Sequence, residues 1–207
     1  AVDTISIRSR VRSKYFVNSQ YAALKVKDAI VDCVRKKTGS RPDVDKLNPR
    51  YSLFLFIFDD KVSIYLNSSG NSLSKRGYRE KVHKASLNEA LAAGIIMLTG
   101  WKGEEPFYDP MCGSGTFPIE ATLIGKNIPP GYYRKNFAFQ KWHYFDNRLW
   151  NDIVKDTRKN ISHERLSIYG YDNIAANINL SKQNSRRILI HEHLRFKRGE
   201  LDDFIPK

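Results

Sequence analysis

The residues of this chain whose types and spacing could do chemistry lie in EPFYDPMCGSGTFPIEATLIG, residues 105–125. Asp109 closes a short apolar run, and Gly113 and Gly115 follow it. The run up to Pro110 reads as a buried strand, and TFPIEATLIG reads as the start of a helix ending near Gly125. In a parallel sheet the turn after a strand's carboxyl end faces the crevice where ligands bind. The two glycines let the backbone approach a ligand closely, and the helix that follows offers free N–H groups to a polar or anionic part of it. A dinucleotide-binding turn would carry glycine or alanine three places after Gly115, where Pro118 stands. A phosphate-binding loop would carry a lysine after its second glycine, and none is present. Asp109 at the strand end would repel phosphates. The pattern therefore disfavours NAD and ATP and suits a ligand with an amino group and a sulfonium charge.

Other reactive side chains offer less. Cys112 sits among the motif residues, but no base in the sequence supports a nucleophilic role. Cys33 and Cys112 have neither disulfide-framework nor metal-ligand spacing. His83, His143, His163, His191 and His193 have no partner cysteines, and His191-x-His193 is read as surface next to a strand. No metal is expected.

The elements that must position the motif follow from periodicity. DTISIRSRVRSK (3–14) alternates, with Ile5, Ile7 and Val11 on one face and Arg8, Arg10 and Arg12 on the other, as a half-buried strand does. SQYAALKVKDAIVDCVRKKTG (19–39) has helical spacing, with Ser19 as its expected cap and Gly39 at its end. SLFLFIFDDKVSIYLNSSG (52–70) reads as two strands turning at Asp59-Asp60, most of FLFIF being core. SLNEALAAGIIMLTG (86–100) reads as a helix opened by a Ser86/Glu89 capping box. ERLSIYGYD (164–172) and LRFKRGELDDF (194–204) supply further strands, with helix-like AANINLSKQNS (175–185) between them. Strands alternating with helices imply a parallel α/β sheet.

With 207 residues, 41% of them hydrophobic, the chain can bury a substantial core. Its formal charge of +13 points to a polyanionic partner, most often nucleic acid. Residues 1–80 hold 16 Lys and Arg against 8 Asp and Glu, and residues 81–207 hold 19 against 14. Arg8, Arg10, Arg12 and Lys14 form one cluster, and Lys75, Arg76 and Arg79 form another in the polar stretch 71–85, which reads as a linker or exposed arm. These are the expected RNA-phosphate contacts. No apolar stretch approaches the roughly 20 residues a membrane span needs, and no signal segment opens the chain. A soluble protein of the reducing cytoplasm is expected. Ala1 and the terminal LDDFIPK suggest a piece of a longer chain.

A ligand with an amine and a sulfonium is S-adenosylmethionine, and YDPMCGSGTFPIEA closely resembles the first motif of a methyltransferase family. GNSLSKRGYRE and LNEALAAGIIMLTGW upstream, and FAFQKWHYFD with Trp142 and IYGYD downstream, are similar to the same family in order and spacing. These are the THUMP-domain ribosomal RNA (guanine-N2) methyltransferases of the large subunit. The resemblance runs over nearly the whole chain. It implies part of an α+β THUMP RNA-binding domain over residues 1–70, a basic linker over 71–84, and the first part of a Rossmann-like methyltransferase domain over 85–207.

By the same resemblance, Asp109, Pro110, Cys112, Gly113, Gly115 and Thr116 would line the cofactor, and Asn88 would lie on a helix capping its methionine side. Asp172 would accept from both ribose hydroxyls, and Glu200 would contact the adenine amine. Two departures stand out. Ile174 occupies the place where the family has a second acidic residue. The family's catalytic Asn-Pro-Pro-Tyr motif, expected after a fourth strand, is not in these 207 residues, so this stretch alone is expected to bind cofactor weakly or not at all and not to turn over. NIPPGYY (127–133) is similar to that motif only in composition and is read as a structural loop. Two other readings stay open: a non-catalytic RNA-binding protein, and a methyltransferase acting on transfer RNA, DNA or protein.

Overall fold

The computed structural model describes residues 3–79, 86–202 and 204. The chain forms two compact units. One joins residues 1–71 to a returning segment, 136–147; the other comprises 72–135 and 148–207.

The first unit is a four-stranded sheet. β1 (Thr4–Arg12), β2 (Asp43–Val44), β3 (Tyr51–Phe58) and β4 (Lys61–Leu66) lie in the order β2-β1-β3-β4. β1 runs parallel to β2 and β3, and β4 pairs antiparallel with β3. The hairpin turns where expected, with Asp59 at φ 50°. Helix α1 (Ser19–Thr38) makes the parallel crossover from β1. Its cap is Asn18 rather than Ser19: the Asn18 side chain accepts from the Tyr21 N–H, leaving Ser19 as the first helical residue. Ala22 and Val26 of α1 pack on Ile7, Val11, Leu55 and Ile57. FLFIF is therefore core on alternate residues only: Leu55 and Ile57 are buried, whereas Phe54 is 36% exposed.

The second unit contains three parallel strands, β5 (Phe107–Asp109), β6 (Ile168–Asp172) and β7 (Leu194–Arg198), in sequential order. α2 (Glu89–Thr99) packs on α3 (Thr116–Gly125), and α5 (Ala175–Arg187) connects β6 to β7. Ile96, Ile119, Ile168, Ile178 and Phe196 lie at the centre of one continuous core. The alternation of strands and helices expected from the sequence is present, as is the α/β fold class. α4 (Asn147–Lys159) and β2 carried no reading from sequence. The start of α2 differs in detail, because Asn88 caps it through the Ala90 and Leu91 N–H groups while Ser86 pairs with Ser114.

The expected linker is corrected. Residues 72–79 belong to the second unit, and Arg76 and Tyr78 are among its most buried side chains. Arg134 donates to the carbonyls of Ser72 and Lys75. At Gly77, φ is 110° and a Cβ would stand 2.7 Å from the Tyr133 carbonyl, so only glycine fits against that backbone. Residues 80–85, which include His83 and the remainder of the expected linker, lie outside the described residues.

Candidate functional site

The loop from Pro110 to Gly115 joins the carboxyl end of β5 to the first turn of α3. Hydrogen bonds fasten it to the neighbouring strand and helix. The Cys112 N–H donates to the Tyr171 carbonyl at 2.7 Å, and the Gly115 N–H to the Cys112 carbonyl at 2.8 Å. The Gly113 N–H donates to Asp172 Oδ2 at 2.9 Å. The other Asp172 oxygen accepts from the Ile174 N–H and from Asn177 Nδ2, at 2.9 and 3.0 Å. Asn184 of α5 donates to the Ser114 carbonyl.

Gly115 has φ +81°, and a Cβ there would lie 2.8 Å from the Ser181 Cβ and 3.1 Å from the Phe196 ring. The loop is thus drawn down between α5 and β7. Gly113 differs: a Cβ there would meet nothing within 4 Å, so its backbone is open to close approach.

Electrostatics follow from two carboxylates at adjacent strand ends. Burial, reinforced by the Asp172 charge, pushes the Asp109 carboxyl above its ordinary value, while the Met111 N–H bonded to Asp109 Oδ1 at 3.1 Å opposes the rise. Burial, with Asp109 and Asp172 adding to it, pushes the Cys112 thiol up to about 12. Cys112 is therefore a thiol, not a thiolate, at neutral pH. Cys33 is exposed. One fast-reacting thiol is expected in the native protein with a disulfide-exchange reagent and two after denaturation; two fast thiols in the native state would contradict this picture.

The other residues expected at the cofactor adjoin the loop or the neighbouring strand end: Arg79 bridges the Thr116 hydroxyl and the Leu87 carbonyl beside Asn88, and Asn173 links Glu200 to the end of β6. Pro110 opens the loop, and Thr116 is buried and bonded to Arg79. Asn88 uses its side-chain oxygen to cap α2. Glu200 is exposed and accepts from Asn173 Nδ2 at 3.3 Å. Asp172, expected to serve the ribose hydroxyls, already accepts from its own chain. A carboxylate offers about four lone-pair sites, and three donors from this chain already occupy Asp172, leaving room for one hydroxyl rather than two. NIPPGYY is a loop that closes α3: the Ile128 N–H donates to the Leu123 carbonyl, and Asn127 Nδ2 donates to the Asn160 carbonyl.

The basic clusters separate sharply. Arg8, Arg10 and Arg12 are exposed on one sheet face, Lys14 lies 5.1 Å from the Tyr15 ring centroid, and Lys75 is exposed. Arg76 and Arg79 correct the expectation of phosphate contact. Arg76 Nε lies 3.4 Å from Glu120 Oε2, with both side chains buried, and Tyr78 OH donates to Glu120 Oε1 at 3.0 Å. Arg79 lies 3.5 Å from Glu89 and donates to the Leu87 carbonyl. Charge alone marked these arginines as outward-facing; their partners lie 44 and 10 residues further along the chain, beyond the reach of local pattern. Among the described residues no three His, Cys, Asp or Glu side chains gather in ligating geometry, and no helix is long and apolar enough to cross a membrane. His191 and His193 form a 3₁₀ turn immediately before β7, with the His193 ring 3.3 Å from Glu192.

Sequence and fold comparisons agree with this architecture. A model of the RMKL-like methyltransferase domain matches residues 76–205, and a THUMP-domain model matches residues 1–67. The ribosomal RNA large subunit methyltransferase K/L of Vibrio campbellii is 37% identical over 187 residues, which are 88% of this chain and 26% of that protein. The chain therefore spans about a quarter of the length of the curated relatives it matches. Among crystal structures, SMU.472, a protein described as a methyltransferase and complexed with SAH, superposes with TM-score 0.89 at 28% identity, over 99% of this chain and 54% of the other. A Listeria monocytogenes protein described as an N6-adenine-specific DNA methylase gives 0.90 at 30% identity, with the same coverages. With a fastened glycine loop at the carboxyl ends of its parallel strands and both models matched in order, the chain belongs to the RMKL-like methyltransferase-domain family, with a THUMP domain on its amino-terminal side.

Proposed function

We propose that this chain is part of an S-adenosylmethionine-dependent RNA methyltransferase, which methylates the exocyclic N2 of a guanine in large-subunit ribosomal RNA. The observation that carries the reading is the Gly113 loop: open on its outer side, and held by Asp172 at the ends of β5 and β6. S-adenosylmethionine supplies a methyl group already activated on a sulfonium, so no metal is required. This chain's residues bind and orient it. Asp109 places negative charge at the strand end, where an amine and a sulfonium are favoured. Asp172 fixes the backbone of Gly113 and keeps one acceptor site for a ribose hydroxyl. Alignment of amine, methyl and sulfur, rather than proton transfer, is the main contribution asked of the protein. The cationic first unit binds the RNA by its phosphates, and the protein acts in the cytoplasm.

Calorimetric titration of S-adenosylhomocysteine into the intact protein tests the cofactor. Binding is expected, and Asp172→Ala should weaken it roughly tenfold or more, because the Gly113 and Ile174 N–H groups lose their acceptor. No heat at high ligand concentration would favour a non-catalytic RNA-binding protein. Nucleoside mass mapping of ribosomal RNA from a deletion strain tests the substrate. Loss of N2-methylguanine at one site supports the reading. Unchanged ribosomal RNA with a lost N6-methyladenine in DNA would overturn it, in keeping with the description of the Listeria neighbour.

A further inference from the structure

The side of the first unit's sheet away from α1 has an unusual composition. Ile7, Val11, Leu55 and Ile57 face α1, so strand alternation sends their neighbours to the opposite side. There the parallel register sets Arg8 beside Phe54, Arg10 beside Phe56 and Arg12 beside Phe58. The antiparallel register adds Tyr65 beside Phe54 and Lys61 beside Phe58. Three arginines thus form a column next to three phenylalanines. Phe58 is 51% and Tyr65 54% exposed, and the Phe54 and Tyr65 ring centroids are 6.5 Å apart. No carboxylate pairs with the three arginines among the described residues.

The same face continues into a cleft of about 490 Å³ whose floor includes Ser6, Arg8 and Ser52. Its wall comes from the returning segment 136–147. The Phe139 N–H of that segment donates to the Ser68 carbonyl, and Lys141 donates to Asn48 and Pro49. Arg8, Lys46 and Lys141 supply cations to the lining, Asn67 and Gln140 supply amides, Phe137 supplies a ring, and none of the described lining residues is a carboxylate. The volume suits one small-molecule-sized group.

We infer that this face is a platform for single-stranded RNA: unpaired bases stack on Phe54, Phe58 and Tyr65, phosphates meet the Arg8–Arg10–Arg12 column, and one splayed-out nucleotide enters the cleft. Exposed rings alone would suit a protein partner equally well. The adjoining column of unpaired cations selects a polyanion, and exposed π faces select one whose bases are not already paired. The inference rests on RNA being the substrate, and it assigns where and in what form that RNA is held.

Fluorescence anisotropy of a labelled single-stranded RNA oligonucleotide and of its duplex, with the intact protein, tests it. Single strands should bind at least about tenfold more tightly than duplex. Phe54→Leu/Tyr65→Leu should weaken single-strand binding about 5- to 100-fold per stacked base lost, because leucine keeps the apolar contact but not the π face. Arg10→Gln should flatten the dependence on salt by about 0.7 in the log–log slope. Thermal melting of each variant checks that the sheet is intact. Wild-type affinity in the leucine variant with its melting point retained, or equal binding of duplex, would overturn the platform. Methyl transfer to ribosomal RNA surviving such a result would leave the proposed function standing. Conversely, strand binding by the platform with no methylated ribosomal site would sink the function and not the platform.

Discussion

Glu120→Ala is expected to destabilise the protein by about 3–5 kcal/mol, the cost of leaving one partner of a buried ion pair uncompensated. Glu120 lies in α3 with its side chain 2% exposed, and Arg76 opposite is 8% exposed. Tyr78, wholly buried, gives its hydroxyl to the same carboxylate. Alanine would strand a guanidinium and a phenol in the core. Glu120→Gln should cost less, since an amide oxygen still accepts from Tyr78 but no longer offsets the Arg76 charge. Replacing the whole group, as in Arg76→Met/Tyr78→Phe/Glu120→Leu, should recover most of the loss, because apolar side chains require no partners. Urea denaturation measures all three, and an alanine variant within 1 kcal/mol of wild type would sink the account.

The pH dependence has a definite sign. Burial holds the Glu120 carboxyl above its ordinary value, although Arg76 and Tyr78 pull it back. The folded protein therefore keeps this proton more tightly than the unfolded chain does. The group's contribution to stability is greatest below the ordinary glutamate range. It declines as the pH rises from that range to the raised folded value, and is level above it. Glu120→Gln should remove that declining limb.

Gly115→Ala is the second large effect. With φ at +81°, a side chain there costs about 1–2 kcal/mol in the left-handed region. Its Cβ would also collide with Ser181 and Phe196, an overpacking of about 1–3 kcal/mol more. A loss of about 2–5 kcal/mol in denaturation is expected, together with lost cofactor binding as the loop lifts. Gly113→Ala is the contrast. Its φ of +53° carries the same backbone strain, but its Cβ meets nothing. Its effect should fall mainly on S-adenosylhomocysteine affinity, because the methyl group stands where a ligand would approach. If both variants lose stability equally and bind alike, the two glycines do not have these separate roles.

How much of this was legible in the sequence depends on the distance over which each feature is decided. The strand at 4–12, the helix at 19–38, the hairpin at Asp59 and the glycine turn after Asp109 are set by residues within a turn or two, and alternation or helical spacing reveals them. The exclusion of dinucleotide and P-loop binding is also local, since it needs only Pro118 and a missing lysine. The capping positions were misplaced by one or two residues because Asn18 and Ser19, or Ser86 and Asn88, are chemically equivalent until backbone angles choose between them. α4 was legible as well, since Leu149, Trp150, Ile153 and Val154 recur at helical spacing.

By itself, then, the sequence determined the order of elements, the α/β class, the cationic character and the glycine turn after β5, all of which follow from local spacing and composition. Strand alternation likewise set Arg8, Arg10 and Arg12 on the face away from Ile7 and Val11. Only the tertiary structure decided which side chains of the second basic cluster face water. Arg76 and Arg79 go inside because Glu120 and Glu89 wait there to pair with them. It also decided that Asp172 fastens the glycine loop before it can serve a ligand, and that residues 136–147 return to wall a cleft on the first unit. Each of these is a pairing between segments far apart in the chain. Burial and hydrogen bonding choose such partners through packing of the whole molecule, and no local periodicity records the choice.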